Sequence, residues 1–225
     1  MSLRERFGAS QLTEHESKQL LREYDIPVLE EELAETAGEA EEIAERIGFP
    51  VILKVESRDV QHKTEAGGVQ KVESADQVAD AFEQIRENIH DYDEDADFGG
   101  ILVGEVLDGN EFIVGVNQDP QFGSVLMFGL GGIYVEVFRD VAFRVIPVDD
   151  YDVKTMFEDL DSEPLLDGVR GQPPADRDKL TDVLQRVSHM VEEEPEIREL
   201  DINPLFIDGD EIKAADALIT LGDRQ

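Results

Sequence analysis

The order of helical and strand patterns limits what this chain can fold into. Capping boxes at Thr13 and Thr36 each open a helical pattern. Ser74 with Gln77 opens a third helix, whose apolar stripe is Val78, Phe82, Ile85 and Ile89. Beyond that helix the pattern changes to short apolar runs separated by turn residues, which is typical of antiparallel hairpins. One long amphipathic helix, around residues 180–191, interrupts these runs. The mixture predicts an α+β, or mixed α/β, architecture.

Turn residues between the apolar runs predict three hairpins. The expected strand pairs are 101–106 with 112–116, 134–138 with 141–146, and 197–207 with 211–219. An earlier strand, at 51–55, follows the second helix.

The charge of the chain is extreme and restricts its partners. Its 225 residues include 54 acidic and 20 basic side chains, which gives a formal net charge of -34. Such a surface repels itself, but at molar salt the Debye length falls to about 3 Å and removes most of the repulsion. We therefore expect a surface adapted to a salt-rich cytoplasm, and we do not expect a nucleic-acid partner.

Composition also bounds the location of the protein. There is no cysteine, so disulfide and thiolate chemistry are excluded. The first six residues lack the apolar core of a signal peptide, and the longest apolar run, 125–135, is shorter than the ~20 residues that span a bilayer. We expect a soluble, cytoplasmic protein with no membrane partner.

One lysine and one histidine lie close together in the first half of the chain. Lys54 interrupts an apolar strand, where it is either an edge-strand lysine that reaches water or a ligand for an anion such as phosphate. His62 begins a polar loop and is a general base, a phosphoryl acceptor or a surface residue. Gly67 and Gly68 close that loop, and their N–H groups are expected to approach an anion.

A second glycine-rich segment, 129–132, follows a strand. It does not match the dinucleotide-binding pattern, because Tyr134 stands at the place of the last glycine. The segment is either a structural turn or a loop that lets a phosphate approach the backbone.

The last hairpin places oxygen ligands on one face. Glu199, Asp201 and Asn203 alternate along a strand and therefore share a face. With Gly209-Asp210 as the turn, Asn203 lies opposite Asp216. With Asp208-Gly209 as the turn, Asp201 lies opposite Asp216. Both registers bring Asp201, Asn203 and Asp216 together, a donor set that suits Mg²⁺, while the alternative is a solvated acidic face.

Five segments together resemble a known family, the ATP-grasp β subunit of ADP-forming acyl-CoA (acetyl-CoA) synthetases; succinyl-CoA synthetase β chains are more distant relatives. The resemblance extends over about residues 12–221. It rests on GFPVILK at 48–54, HKTEAGGV at 62–69, FGLGGIYVEV at 128–137, DVAFR at 140–144 and ELDINPL at 199–205.

This resemblance implies an ATP-grasp fold of two subdomains with the nucleotide held between them. The small subdomain covers about 25–100, and the large one 1–24 plus 101–225. The implied reaction converts acyl-CoA, ADP and phosphate reversibly into carboxylic acid, CoA and ATP, with Mg²⁺. The implied partner is a CoA-binding α subunit that carries the first phosphohistidine, in a hetero-oligomer. A rival interpretation is a non-catalytic nucleotide-binding regulatory subunit, and a third is a structural domain.

The resemblance also implies roles for individual residues. His62 is a second phosphoryl carrier, Asp201 stands near the phosphohistidine, and Lys54 contacts nucleotide phosphate. Asn203 and Asp216 bind the metal. The remaining nucleotide contacts fall on Glu105 and Val106 (adenine), Glu111 (ribose and phosphates), Gly131 and Gly132 (phosphate end), and Arg144, with Arg139 as an alternative charge partner.

Overall fold

The computed structural model describes residues 2–60, 62–132, 140–169 and 171–222, which belong to two units. The small unit is Leu29–Leu107, and the large unit combines Met1–Val28 with Asp108–Gln225. The small subdomain expected at about 25–100 covers most of the small unit.

Both units contain helices and strands, as the mixed pattern predicted. The described helices are α1 (Leu3–Phe7), α2 (Glu14–Glu23), α3 (Ala37–Ile47), α4 (Val78–Tyr92), α5 (Asp150–Glu158), α6 (Glu163–Leu166) and α7 (Arg177–Glu193). The described strands are β1 (Glu31–Ala34), β2 (Val51–Glu56), β3 (Val69–Val72), β4 (Gly100–Glu105), β5 (Asn110–Asp119), β6 (Gly123–Leu130), β7 (Val141–Val145), β8 (Ile197–Asp208), β9 (Glu211–Ala214) and β10 (Leu218–Leu221).

Both predicted capping boxes form. Thr13 caps α2 and Thr36 caps α3, each with the reciprocal glutamate bond. The third predicted helix is also present: a 3₁₀ turn at Ala75–Gln77 leads into α4, although the Ser74 side chain makes no capping hydrogen bond. The Gln77 carboxamide oxygen instead accepts the N–H of Glu73.

The small unit is an antiparallel sheet with strand order β1-β4-β2-β3 and helices α3 and α4. The predicted apolar stripe of α4 is fully buried and joins the core side chains of β2, which include Val51, Leu53 and Val55. Because β2 lies between β4 and β3, Lys54 is on an interior strand, and its interpretation as an edge-strand lysine is wrong.

The first predicted hairpin does not exist. β4 pairs with β1 and β2 in the small unit, whereas β5 pairs with β6 and β8 in the large one. The turn residues 106–109 therefore carry the chain from one unit to the other instead of reversing it. Of the second hairpin, the structure describes β7; residues 133–139, which include Arg139, lie outside the described residues.

The large unit is built on a second antiparallel sheet with strand order β10-β8-β5-β6-β7, and β9 pairs with β8. One face of this sheet carries Phe112, Phe128 and Ile202, which are buried in a single core with helices α2, α5 and α7. The opposite face of β8 carries Glu199, Asp201 and Asn203, as the alternation predicted. This face holds most of the large unit's candidate site residues.

No helix among the described residues is long and apolar enough to cross a membrane.

Candidate functional site

The register of the last hairpin decides between the two alternatives left open by the sequence. Asp208 pairs with Glu211, so Gly209-Asp210 forms the turn. The same register continues beyond β9, because the Ala215 N–H donates to the Pro204 carbonyl (3.0 Å) and Leu218 on β10 pairs with Asp201. Asn203 is therefore level with Asp216, which lies between β9 and β10, as the first register predicts.

Asp201 and Asp216 are close enough for their charges to interact. Burial by the surrounding protein raises the pKa of the Asp201 carboxyl group, and the negative charge of Asp216 raises it further. The residue as a whole is exposed at the sheet surface, but protein atoms crowd its carboxyl group. Two carboxylates that oppose each other's ionisation in this way favour a cation beside them.

A cluster of backbone and side-chain groups joins Glu111 to Asn203. The Gly131 N–H donates to the Glu111 carbonyl (2.8 Å), and the Gly132 N–H donates to Asn203 Oδ1 (3.3 Å). Gly132 has φ +65°, and a Cβ there would overlap the Glu111 carboxylate. A Cβ on Gly131 would lie 2.5 Å from the backbone of Phe112. Both glycines thus allow close approach, and we name Glu111, Gly131, Gly132 and Asn203 the glycine cluster.

The glycine cluster changes how the segment 129–132 is understood. Both N–H groups that were candidates for a phosphate already donate to protein oxygens. Their observed effect is to hold the Glu111 backbone and the Asn203 amide in fixed positions. Whether a phosphate also approaches these glycines stays a prediction.

An open cavity of about 740 Å³ lies on the same face of the large unit's sheet. Its polar lining includes Glu199 and Asp201, and its apolar floor includes Met127, Phe143 and Leu218. Asp201 therefore faces a space large enough for a ligand or a segment of another chain.

Lys54 lies half-buried in the middle of the small unit's sheet. It pairs with Val69 on β3 and with Leu102 on β4. Its neighbours Leu53 and Val55 point into the core, so Lys54 points to the opposite face. Strand pairing on both sides holds the backbone of Lys54, and its role as an anion ligand stays a prediction.

His62 is exposed and begins a single helical turn. The Ala66 N–H donates to the His62 carbonyl (3.1 Å), which fixes the backbone of the histidine. The turn ends in a Schellman motif: the N–H groups of Gly67 and Gly68 donate to the carbonyls of Thr64 (3.1 Å) and Lys63 (2.7 Å). Gly67 has φ +67°. We call residues 62–68 the histidine turn.

The Schellman motif overturns one expectation about this loop. The N–H groups of Gly67 and Gly68 close the turn, so they are not presented to an anion. The ligand-binding capacity of the histidine turn rests on its side chains.

Three more residues are predicted to contact the nucleotide: Glu105, Val106 and Arg144. Glu105 ends β4, and its Oε1 accepts the N–H of Glu30 (2.8 Å). Val106 follows in the connection between the units. Arg144 on β7 donates to Thr155 (2.8 Å) and Asp159 (2.7 Å), which ties it to α5 and its C-terminal end. Their nucleotide roles stay predictions.

Sequence reasoning missed the role of Asp140. Its two carboxylate oxygens accept the N–H groups of Asp161 (2.9 Å) and Ser162 (2.7 Å) and so fix the start of the loop that follows α5. The sequence analysis used Asp140 only as part of the DVAFR motif at 140–144, because no sequence signal links it to positions 161 and 162.

Among the described residues, no three His, Cys, Asp or Glu side chains are grouped closely enough to hold a metal by themselves. A metal at Asp201, Asn203 and Asp216 would therefore use an amide oxygen and would share its remaining positions with other oxygen donors, as Mg²⁺ commonly does.

The two sheets and the site on the large unit define an ATP-grasp protein, and a family model for the ATP-grasp domain matches residues 4–221. Within that fold, the chain belongs to the family of β subunits of ADP-forming acetate–CoA ligases. It is 42% identical to the subunit β of acetate–CoA ligase II of Pyrococcus furiosus, over 89% of this chain and 86% of the relative. It is 41% identical to the subunit β of ligase I of the same organism, over 93% and 91%.

Solved structures agree with this placement. Acetyl-coenzyme A synthetase 1 of Ca. Korarchaeum cryptofilum, solved with coenzyme A and Ca-AMPCP, superimposes with a TM-score of 0.92 at 41% identity, covering 97% of this chain and 96% of that one. The resemblance stated from the sequence motifs is thereby confirmed.

Proposed function

We propose that this chain is the β subunit of an ADP-forming acyl-CoA ligase. With an α subunit, it would interconvert acyl-CoA, ADP and phosphate with carboxylic acid, CoA and ATP. The observation that carries the proposal is the 42% identity to a separate β subunit over most of both chains. The exposed histidine turn supports it, because a phosphoryl carrier must be reachable from outside its own subunit.

His62 is the proposed phosphoryl carrier of this chain. In the direction of ATP synthesis, the phosphohistidine of the α subunit donates its phosphoryl group to an unprotonated ring nitrogen of His62. A new N–P bond forms as the old one breaks, and the leaving imidazole keeps the electron pair. A β-phosphate oxygen of ADP then attacks the phosphorus, the N–P bond to His62 breaks, and ATP forms. The exposure of the His62 ring suits both steps.

Lys54 is the proposed phosphate ligand of the small unit. Phosphoryl transfer depends on positioning and on neutralising charge, and this chain carries a net charge of -34. A local cation must therefore offset repulsion between the protein and an anionic nucleotide. The half-buried position of Lys54 on an interior strand favours this role, because the surroundings screen its charge less than bulk water would.

Asp201, Asn203 and Asp216 are the proposed metal ligands or neighbours in the large unit. Bound there, Mg²⁺ would neutralise charge on the phosphates during transfer. The raised pKa of Asp201 supports the fit, since a cation beside the pair would remove the unfavourable interaction with Asp216. Glu111 and the two glycines of the cluster would fix Asn203 in this set.

The coverage and the names of the relatives indicate what a partner subunit supplies. This chain matches only 30% of the single-chain acetate–CoA ligase I of Archaeoglobus fulgidus and 28% of the 4-hydroxybutyrate–CoA ligase of Nitrosopumilus maritimus. Relatives at about the same identity are thus named for different acids. We infer that the remaining portion, supplied here by an α subunit in a hetero-oligomer, binds CoA and selects the acid.

The acid excess is proposed to be an adaptation to high salt. The described ion pairs are mostly exposed, and exposed pairs contribute little to stability. Screening of the net charge by salt is therefore expected to contribute more to the free energy of unfolding than these ion pairs do.

The test is purification with the α partner at molar salt, followed by an assay of acyl-CoA cleavage that depends on ADP and phosphate. We expect His62→Ala and Lys54→Ala each to abolish ATP formation while the fold stays intact. His90→Ala and Lys71→Ala are the controls, because both side chains are exposed in the same unit. Near-normal turnover by His62→Ala would contradict the carrier role.

A further inference from the structure

The histidine turn is held against α4 by one side chain that no sequence motif singles out. Asn88 Nδ2 donates to the Gly67 carbonyl (2.9 Å), and Gln84 Nε2 donates to Asn88 Oδ1 (3.0 Å). Asn88 is half-buried, one residue before Ile89 of the core stripe. Two successive turns of α4 thus form a short chain of hydrogen bonds that ends on the backbone of the histidine turn.

The contact between Asn88 and Gly67 is also tight. A Cβ on Gly67 would lie 2.7 Å from Asn88 Nδ2, so the amide occupies the space that any other residue at this position would fill. Glycine at position 67 therefore allows both the positive φ and the close approach of the Asn88 amide, and the end of the turn lies directly against α4.

The internal bonds of the histidine turn fix its shape but not its position on the small unit. Three contacts contribute to that. The Val55 N–H donates to the Gly68 carbonyl (2.8 Å), and Ala66 is buried in the core with 5% exposure. Asn88 provides the third contact, through a polar side chain. These three contacts lie four or more residues after the exposed His62.

We propose that Asn88 is a positioning residue that sets where the histidine turn presents the His62 ring. The inference rests on the proposed function, since it assigns Asn88 to phosphoryl transfer through His62. The transfer requires the ring nitrogen in line with the bond that breaks, and a misplacement of about 1 Å can cost about 100-fold in rate. With Asn88 altered, the turn keeps its own hydrogen bonds but loses its side-chain hydrogen bond to α4.

Asn88→Asp tests the donor directly. The side chain keeps its size and can still accept from Gln84, but a carboxylate oxygen then faces the Gly67 carbonyl, and two acceptors repel. Gln84→Ala is the matched control, because it removes only the outer hydrogen bond. Asn88→Ala removes both bonds without adding a charge and serves as a second variant if Asn88→Asp folds poorly.

The assay uses the complex with the α partner and measures kcat, the KM for ADP, and the initial rate of His62 phosphorylation from ATP. We expect Asn88→Asp to lower kcat and the phosphorylation rate by about 10- to 100-fold with the KM for ADP unchanged. Gln84→Ala should stay within about threefold of the wild type. A role in stability alone would not produce this separation of kcat from KM in folded protein.

One result would overturn the role of Asn88, and a different result would overturn the proposed function. If the wild type is phosphorylated on His62 and Asn88→Asp matches its kcat, Asn88 does not position the histidine, while the proposed function stands. If wild-type His62 is never phosphorylated, the proposed function itself fails.

Discussion

Gly132→Ala separates the positioning role of the glycine cluster from a plain effect on folding. At φ +65° an alanine costs about 1–2 kcal/mol of stability, whatever its surroundings. Gly123 has φ +79° with no atom within 4 Å of an added Cβ, so Gly123→Ala carries the same backbone cost without a clash. At Gly132 the new methyl group also overlaps the Glu111 carboxylate.

The overlap should affect activity more than stability. The clashing atom is the far end of a flexible side chain, which can retreat by about 1 Å at little cost in folding free energy. If Glu111 lies beside the metal and phosphates as proposed, the same displacement can cost about 100-fold in rate, or about 2.7 kcal/mol of transition-state stabilisation. We therefore expect both variants to lose similar stability and only Gly132→Ala to lose turnover.

The assays are denaturant unfolding and ADP-dependent acyl-CoA cleavage by the complex with the α partner. Glu111→Ala combined with Gly132→Ala completes the comparison, since the double variant should be no slower than Glu111→Ala alone. The reasoning is refuted if Gly132→Ala turns over at the rate of Gly123→Ala, or if the two substitutions reduce the rate additively.

Two further predictions concern charge. Asp201→Asn should raise the free energy of unfolding at neutral pH in the absence of Mg²⁺. Burial and the charge of Asp216 raise the pKa of Asp201 in the folded state, so the wild type loses stability as the pH rises through that pKa. Asparagine does not ionise and avoids this loss. The gain over wild type should vanish at acidic pH, and unfolding titrations that show no gain at neutral pH would refute it. Raising KCl from about 0.1 M to about 2 M should increase the free energy of unfolding, because the Debye length shrinks from about 10 Å to less than 3 Å; denaturation curves that do not move with salt would contradict the salt adaptation.

Local chemistry allowed much of the fold to be predicted. The capping boxes at Thr13 and Thr36, the α4 stripe and the existence of the last hairpin all follow from neighbouring residues, while its register was narrowed to two alternatives. The predicted hairpin at 101–116 failed because the turn signal at Asp108-Gly109-Asn110 is the same whether a chain reverses or crosses to another sheet. Only pairing partners far away in sequence, β1 and β8, distinguish the two.

The proximity of Asp201, Asn203 and Asp216 was predictable, because alternation along β8 places the first two on one face and both hairpin registers bring Asp216 to them. Their role in metal binding stays a prediction. The glycine cluster was not predictable, because Glu111, Gly132 and Asn203 come from three separated segments and meet only through tertiary packing. The same reason hid Asn88, which lies 21 residues from its partner Gly67.

Peptide mapping shows whether His62 carries a phosphoryl group. The complex is incubated with ATP and Mg²⁺ at molar salt, digested at neutral or higher pH because phosphohistidine hydrolyses in acid, and analysed by mass spectrometry. We expect phosphate on His62 in the wild type and in His90→Ala, and its discharge to ATP when ADP is added. Full acyl-CoA cleavage activity without any phosphate on His62 would contradict the proposed carrier role.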